Sequence, residues 1–341
     1  MSPYTHISRP AGPLPQGMLS LGGFSFARGG NTMTYTKPPL TYEEQADLLL
    51  GRGMVADRAL LIERLQQVSY YRLSGYWYPF RRFDPSRRQR LDDFVPGTDF
   101  ETIWNRYVFD RRLRLILLDA IERIEVAVRS RLAYLHAREF GPFAYATDAN
   151  TLPGCSGPQR ATFLQNVQAE VNRSKDTFIE HFKRKYGDQH KHLPVWMAVE
   201  TMAFGSVLTF YRGSPRRIKK GIASIFEMPE RVFSSWLLTL NTVRNICAHH
   251  GRLWNREFGT APMIPRQDKY PEWHQPQPFR NSRTFAVLTI CKWCVDRIAP
   301  QSRWGMRLRS LLSEYPRIPL DEMGFPADWE RSPIWAPSVG A

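Results

Sequence analysis

Residues 100–138, FETIWNRYVFDRRLRLILLDAIERIEVAVRSRLAYLHAR, carry the strongest secondary-structure pattern in the chain. Nonpolar side chains recur there at spacings of three and four, which is typical of one face of an α-helix. Thr98 and Glu101 stand three apart just before this run and predict a capping box at its start. At 1.5 Å per residue, the helix would be about 55 Å long. Its predicted buried face contains Leu113, Ile116, Leu117, Ala120, Ile124, Val128, Arg131 and Leu135.

Helical patterns continue on both sides of this segment. Thr41 and Glu44 form a second capping-box pattern, which predicts a helix that ends near Gly51 and Gly53. No segment shows the clear two-residue alternation of a half-buried strand. We therefore predict an all-α protein built as a helical bundle. Further helices are predicted at 57–68, 159–186, 194–212, 229–250, 283–299 and 303–314.

Composition divides the chain into four regions. Residues 1–36 are rich in Gly, Pro, Ser and Thr without periodicity, and predict a disordered N-terminal tail. Residues 37–95 form a small helical and aromatic region, and 96–315 form the main helical domain. Residues 316–341 are rich in Pro and Trp and predict an extended C-terminal tail.

The net charge is the most unusual number in the composition. The 341 residues include 47 Lys and Arg against 32 Asp and Glu, which gives +15. Such a charge indicates a polyanionic partner, either nucleic acid or an anionic membrane. The most apolar run, 195–211, is interrupted by Glu200 and falls short of the roughly 20 apolar residues of a spanning helix. RNA is therefore the predicted partner, as a substrate or as a structured regulatory or guide RNA, and a membrane is not.

The cysteines predict a reducing compartment and no metal site. There are four in the chain, few for its length, and no signal-peptide pattern opens the sequence, so we expect a cytoplasmic protein. Cys291 and Cys294 form a CxxC pair on an apolar helical stripe, which favours a place in the core over metal or redox chemistry. No cofactor is predicted.

Two clusters of basic residues are candidates for phosphate contacts. An alternative for both is a solvated surface with no ligand. The aromatic segment 70–80 is either a small core or a base-stacking surface. The candidate RNA-binding residues are Arg81, Arg82, Arg87 and Arg88 in the first cluster, and Arg216, Arg217, Lys219 and Lys220 in the second.

The segment from Arg244 to Gly251, RNICAHHG, carries the candidate chemistry. On an ideal helix, Asn245 and His249 are neighbours on the polar side, where Asn245 is placed to hydrogen-bond the His249 ring. Arg244 lies about 140° away from His249. The two could converge through the length of the arginine, a loosened last turn or a second copy of the chain. His250 points nearer the apolar side and is expected to be structural.

Arginine and histidine together suit metal-free RNA cleavage. A histidine with the ordinary pKa of about 6.5 can move protons at neutral pH. A guanidinium binds phosphate and stabilises a charged phosphoryl transition state. The alternative is that the same residues only cap the helix and complement its dipole.

Several motifs in the same order resemble a known family. The segment from Arg244 to His249 resembles the R-x4-6-H motif of HEPN ribonucleases, and the chain from 37 to about 265 resembles the Abi_2 abortive-infection family. The other similar segments are Lys37–Leu50, Tyr70–Trp77, Phe109–Arg114 through Glu125, Leu193–Trp196, Phe204-Gly205 and the continuation of the motif to Asn255.

The resemblance implies a fold and a function. It implies a HEPN-like helical bundle in a phage-defence endoribonuclease, with toxin behaviour and with Arg244, His249 and Asn245 as catalytic residues. Because HEPN sites pair two such motifs and this chain has one, it also implies a homodimer. An acidic residue would assist, and Glu122, Glu125 and Glu200 remain open. The rival functions are a non-catalytic RNA-binding module and an interaction protein that senses a phage component.

Overall fold

The longest helix, α4 (Phe100–Phe140), is the axis on which most of the other helices pack. The computed structural model describes residues 38–336, so the predicted tail at 1–36 lies outside the described residues. Helix α4 has 41 residues and is about 60 Å long. It is buried on more than one side, because α3, α8, α10, α11, α12 and α13, whose bounds follow, all pack against it.

The described residues are mostly helical, which confirms the predicted fold class. Before α4 come α1 (Tyr42–Gly51), α2 (Arg58–Gln67) and α3 (Tyr70–Trp77). After it come α5 (Ala144–Thr147), α6 (Gly157–Arg173), α7 (Thr177–Tyr186), α8 (Val195–Thr201), α9 (Phe204–Gly213), α10 (Arg216–Ala223), α11 (Glu230–Ala248), α12 (Thr284–Ile298) and α13 (Trp304–Glu314).

The basic segment at 81–90, for which no strand was predicted, is part of an antiparallel hairpin. Strands β1 (Arg81–Asp84) and β2 (Gln89–Phe94) pair with Phe83 opposite Arg90. The Arg90 guanidinium donates to the carbonyls of Pro79 and Arg81, which ties the hairpin to its own base. The sequence did not reveal these strands because they are short and Phe94 is their one buried residue, so burial imposes no apolar alternation on them.

Of the two predicted capping boxes, the one at α1 is correct, and the helix cap at α4 lies one residue after the predicted position. Thr41 and Glu44 form the predicted capping box at α1. At α4, however, the N-cap is Asp99, whose carboxylate accepts from the Thr102 N–H, while the Thr98 hydroxyl donates to Val95. Both residue types cap well, and because the Thr98 hydroxyl is engaged with the Val95 carbonyl, Asp99 takes the capping position.

Two segments predicted as single helices are each divided in two. Residues 159–186 split between α6 and α7, and 194–212 split between α8 and α9. At the second break, Met202 adopts an extended conformation and its carbonyl accepts from the Arg129 guanidinium of α4. A tertiary partner therefore satisfies the backbone group that the break leaves free.

The segment after α13 packs on the helices although it contains no α-helix of its own among residues 316–336. It makes two single 3₁₀ turns, at Asp321–Met323 and Trp329–Arg331. Its Trp335 side chain is buried, and the indole N–H donates to Thr289 of α12. Cys291 and Cys294 on α12 are fully buried in the same core, as their apolar stripe predicts. No helix in residues 38–336 combines the length and the apolar character needed to cross a bilayer.

His136 on α4 is a buried group without a polar partner. Its ring centroid lies 4.9 Å from those of Phe140 and Phe210. Among the described residues, neither ring nitrogen has a hydrogen-bond partner. Burial lowers the pKa of His136 to about 4, although Glu139 opposes the shift.

This lowered pKa predicts a pH-dependent stability. His136 binds a proton more readily in the unfolded chain than in the folded protein. The contribution of the neutral His136 to the free energy of unfolding is therefore fully present above about pH 6.5, and it is lost as the pH falls towards 4. We expect the free energy of unfolding, measured by urea titration, to decrease between pH 7 and pH 4.5. His136→Leu should abolish about 2–3 kcal/mol of that decrease. An identical decrease in the variant and the wild type would contradict the assignment.

Candidate functional site

The candidate motif lies at the C-terminal end of α11, which is closed by a defined capping structure. The Gly251 N–H donates to Ile246 at 2.7 Å and the His250 N–H donates to Cys247 at 3.0 Å. These two bonds form a Schellman motif. His250 takes the left-handed residue of that motif, with φ of 56°, where glycine is the usual choice. The last turn is therefore fixed rather than loosened.

Both histidines at this helix end are exposed. His249 is the C-cap residue, and within the part of the chain that the structure describes its ring makes no hydrogen bond. The exposed His249 ring agrees with the polar side predicted for it. His250 is also exposed, contrary to the expectation that it points towards the core. The reason is that the left-handed backbone at His250 turns the chain out of the helical path.

Arg244 and Asn245 form a contact of their own. An Arg244 Nη donates to Asn245 Oδ1 at 3.4 Å, and both side chains are half-buried. The predicted hydrogen bond from Asn245 to the His249 ring does not form, because the amide oxygen is turned towards the guanidinium. Cys247 and Val243 are buried on the opposite face, as predicted. The motif thus has a buried face, which carries Val243 and Cys247, and an exposed face, which carries His249.

Of the three acidic candidates, Glu125 is the one on which the charge of Arg244 acts, although no carboxylate lies within 4 Å of the Arg244 guanidinium among residues 38–336. The Glu125 side chain is 9% exposed and accepts from Arg129 at 2.7 Å. Burial raises the pKa of Glu125, while Arg129 and Arg244 oppose the shift. Glu200 is exposed and reaches Arg129 at 3.9 Å from the other side. Arg129 therefore contacts both the Glu125 and the Glu200 carboxylates.

A buried network fixes the segment that follows His249. Asp110 on α4 is fully buried and accepts from the Trp254 N–H at 2.8 Å and from the Leu253 N–H at 3.2 Å. It also accepts from the Tyr76 hydroxyl and from Arg114, both at 2.6 Å. Burial raises the pKa of Asp110, and these four donors oppose the shift. The chain after the motif is thereby held on the central helix.

Helix α3 supports the same segment from its other side. Arg72 donates to the His250 carbonyl at 2.6 Å, and Arg252 donates to the Gly75 carbonyl. Tyr76 and Trp77 are buried, so this part of the aromatic segment forms core. Tyr71 is 89% exposed and keeps the alternative of a stacking surface open for its own ring.

The eight predicted RNA-binding residues lie on the hairpin and on α10. Several of them are engaged within the chain: Arg81 pairs with Asp92, Arg82 with Asp93, Arg87 with Asp84, Arg217 with Glu139 and Lys219 with Glu230. Within residues 38–336, the remaining three, Arg88, Arg216 and Lys220, have no carboxylate within 4 Å and are exposed. These three have the greatest freedom to bind a phosphate.

The sequence analysis did not predict two exposed aromatic side chains that line a cavity. Trp196 on α8 and Tyr134 on α4 are 51% and 53% exposed and line an open cavity of about 480 Å³ with Glu200. Glu200 connects this cavity to Arg129 and hence to Glu125. Tyr134 lies eight residues after the exposed Val126, so the available signal was two nonpolar or aromatic side chains two turns apart on the polar side of α4.

Comparison with known proteins places the chain in a family. A search of curated proteins and a search of solved structures each found no match. The family model described as Abi-like protein matches residues 63–255. That range is narrower than the resemblance from 37 to about 265, but it covers more than half of the chain. It includes α3, α4, the Asp110 network and the whole of α11. The chain therefore belongs to the Abi-like protein family.

Proposed function

We propose that this Abi-like protein is a metal-independent endoribonuclease of an abortive-infection system, the bacterial defence against phage, and that it acts in the cytoplasm. The observation that carries the proposal is the end of α11. There an exposed histidine ends the helix in a Schellman motif, one and a half turns after an arginine that donates to Asn245 and whose charge acts on the buried Glu125 carboxylate. Proton transfer and phosphate binding are thereby available on one helix end.

The proposed reaction is an internal phosphoryl transfer. The 2′ oxygen of the RNA forms a bond to the adjacent phosphorus, and the bond from that phosphorus to the 5′ oxygen breaks. His249 takes the proton from the 2′ hydroxyl or supplies one to the leaving oxygen. Arg244 stabilises the charge on the phosphoryl oxygens. Asn245 accepts from the Arg244 guanidinium and acts as a positioning residue, while the Glu125 carboxylate adds negative charge nearby.

The surroundings of the motif suit an RNA substrate. Trp196 and Tyr134 offer rings on which unpaired bases stack. Arg88, Arg216 and Lys220 offer unpaired charge for phosphates, and the other five basic residues contribute to the field. RNA helices present phosphates and 2′ hydroxyls at their surface, so recognition by shape is expected. A non-catalytic RNA-binding module would use the same surface without cleaving.

Products and metal dependence test the mechanism. We expect purified protein to cleave RNA in the presence of EDTA and to leave 2′,3′-cyclic phosphate and 5′-hydroxyl ends. The reason is that the proposed chemistry needs only Arg244, His249 and the 2′ hydroxyl. Strict dependence on Mg²⁺ with 5′-phosphate products would contradict the mechanism. Tight RNA binding without any cleavage would instead support the non-catalytic module, and absence of RNA binding would support the protein-sensing alternative.

The active species is proposed to be a homodimer. Within one chain the Arg244 guanidinium is turned to Asn245, and a second copy of α11 across a dyad would bring another His249 towards it. We expect mixtures of Arg244→Ala and His249→Ala chains to regain part of the wild-type cleavage, because one hybrid site keeps both groups. Light scattering at the assay concentration should report a dimer. A fully active monomer would contradict this arrangement.

A further inference from the structure

A cavity of about 560 Å³ opens beside the segment that follows the motif. Its walls come from 78–90 around the hairpin, 252–255 after α11, 277–283 before α12 and 321–326 after α13. The volume is in the range of small-molecule sites. Arg244 and His249 do not line it, so this is a second site and not part of the first.

Three arginines in the wall keep their charge uncompensated. Arg90 donates to the carbonyls of Pro79 and Arg81, and Arg252 donates to the carbonyl of Gly75. Arg280 is exposed at the rim. In residues 38–336, none of these three has a carboxylate within 4 Å. Because carbonyls are neutral partners, they orient two guanidiniums without cancelling their charge, which is the arrangement that binds phosphate.

The same wall carries hydrogen-bond acceptors. Glu322 accepts from Asn255 Nδ2 at 3.3 Å, and Asp321 lies beside it. The remaining oxygen of that amide, Asn255 Oδ1, is buried and has no donor among the described residues. A simple anion would be repelled by the two carboxylates and would leave this oxygen unpaired. A ligand that also carries hydroxyl or amine donors would satisfy them.

Aromatic rings complete the lining. Tyr78 is half-exposed, with the Arg90 guanidinium 5.6 Å from its ring centroid, and Phe279 lies elsewhere in the wall. Aromatic faces of this kind stack on nucleobases whatever the base. Cationic, accepting and aromatic groups therefore share one cavity.

We propose that this cavity binds a nucleotide. Arg90, Arg252 and Arg280 bind its phosphates, Asp321 and Glu322 accept from its ribose hydroxyls, and the base lies against Tyr78. The chemistry is the same for a free nucleotide and for a nucleotide of an RNA strand. The proposal does not rest on RNA cleavage, because Arg244, Asn245 and His249 do not line the cavity. The experiment that tests it measures nucleotide binding and does not measure RNA cleavage.

Isothermal titration of the full chain with ATP, and separately with a tetra-adenylate oligoribonucleotide, distinguishes the two sources. We expect at least one of them to bind. Arg280→Ala should weaken that binding by at least about tenfold, because a charge-assisted contact to phosphate is lost. Arg280 is exposed, so the variant should keep its fold. The matched control is Arg266→Ala, which removes an exposed arginine that pairs with Asp268 and does not line the cavity.

Fragments of the nucleotide test the combined recognition. Pyrophosphate supplies the charge without donors or ring, and adenosine supplies the donors and ring without charge. Each should bind at least about tenfold more weakly than ATP or the oligonucleotide. The proposal is overturned if neither nucleotide probe binds at millimolar concentration, or if pyrophosphate binds as tightly as they do. It is also overturned if both Arg280→Ala and Arg90→Gln bind like the wild type.

Discussion

Replacing His249 by alanine is expected to reduce RNA cleavage by a factor of about 10² to 10⁴, because a general acid or base is lost. The fold should be unaffected, since the His249 ring is exposed and makes no hydrogen bond within residues 38–336. The measurement is the cleavage rate of a labelled RNA, with circular dichroism and a thermal unfolding curve to report the fold. An unfolded variant would indicate that His249 serves only to end the helix.

The adjacent histidine provides the matched control. His250→Gly removes a second exposed imidazole from the same helix end but suits the left-handed backbone at that position. We expect this variant to cleave RNA like the wild type and to be more stable by about 1 kcal/mol, because the left-handed conformation costs non-glycine residues about that amount. Loss of cleavage in His250→Gly, with cleavage retained in His249→Ala, would reverse the assignment of the two histidines.

Replacing Asp110 by alanine is expected to have the largest effect on stability. The change leaves the Arg114 guanidinium, which is 4% exposed, without its buried partner, and it leaves the Tyr76 hydroxyl and two backbone N–H groups without theirs. Breaking a buried ion pair from one side costs about 3–5 kcal/mol. Urea unfolding followed by circular dichroism measures the change. Cleavage should also be lost, because the segment after His249 is no longer held on α4.

Asp119 offers a control on the same helix. It pairs with Arg123 and Arg307, but its side chain is partly exposed and solvent screens both pairs. Asp119→Ala should therefore cost at most about 1 kcal/mol. Equal losses of stability in the two variants would contradict the view that the Asp110 network has a special part in anchoring the motif.

The sequence by itself determined the helical class and most of the helix positions. Apolar residues at helical spacing mark the face of a helix that must be buried. This pattern can be read from the sequence without knowing which other element buries that face. It also determined that Val243 and Cys247 face the core and His249 does not, because that division follows from the turn of a helix. The candidate motif and the family likewise depend on the order of residues alone, and the family was confirmed over 63–255.

Only the tertiary structure decided how the motif is surrounded. Helix periodicity gives the direction of a side chain from its own axis, but not which side chain of another helix meets it. It therefore could not show that Glu125 pairs with Arg129, nor that the amide oxygen of Asn245 turns towards Arg244. The role of Asp110 was equally hidden, because its partners at Leu253 and Trp254 are backbone groups more than 140 residues away. Contacts between distant residues, and the backbone turn at His250, are properties of the packed chain, and local pattern does not encode them.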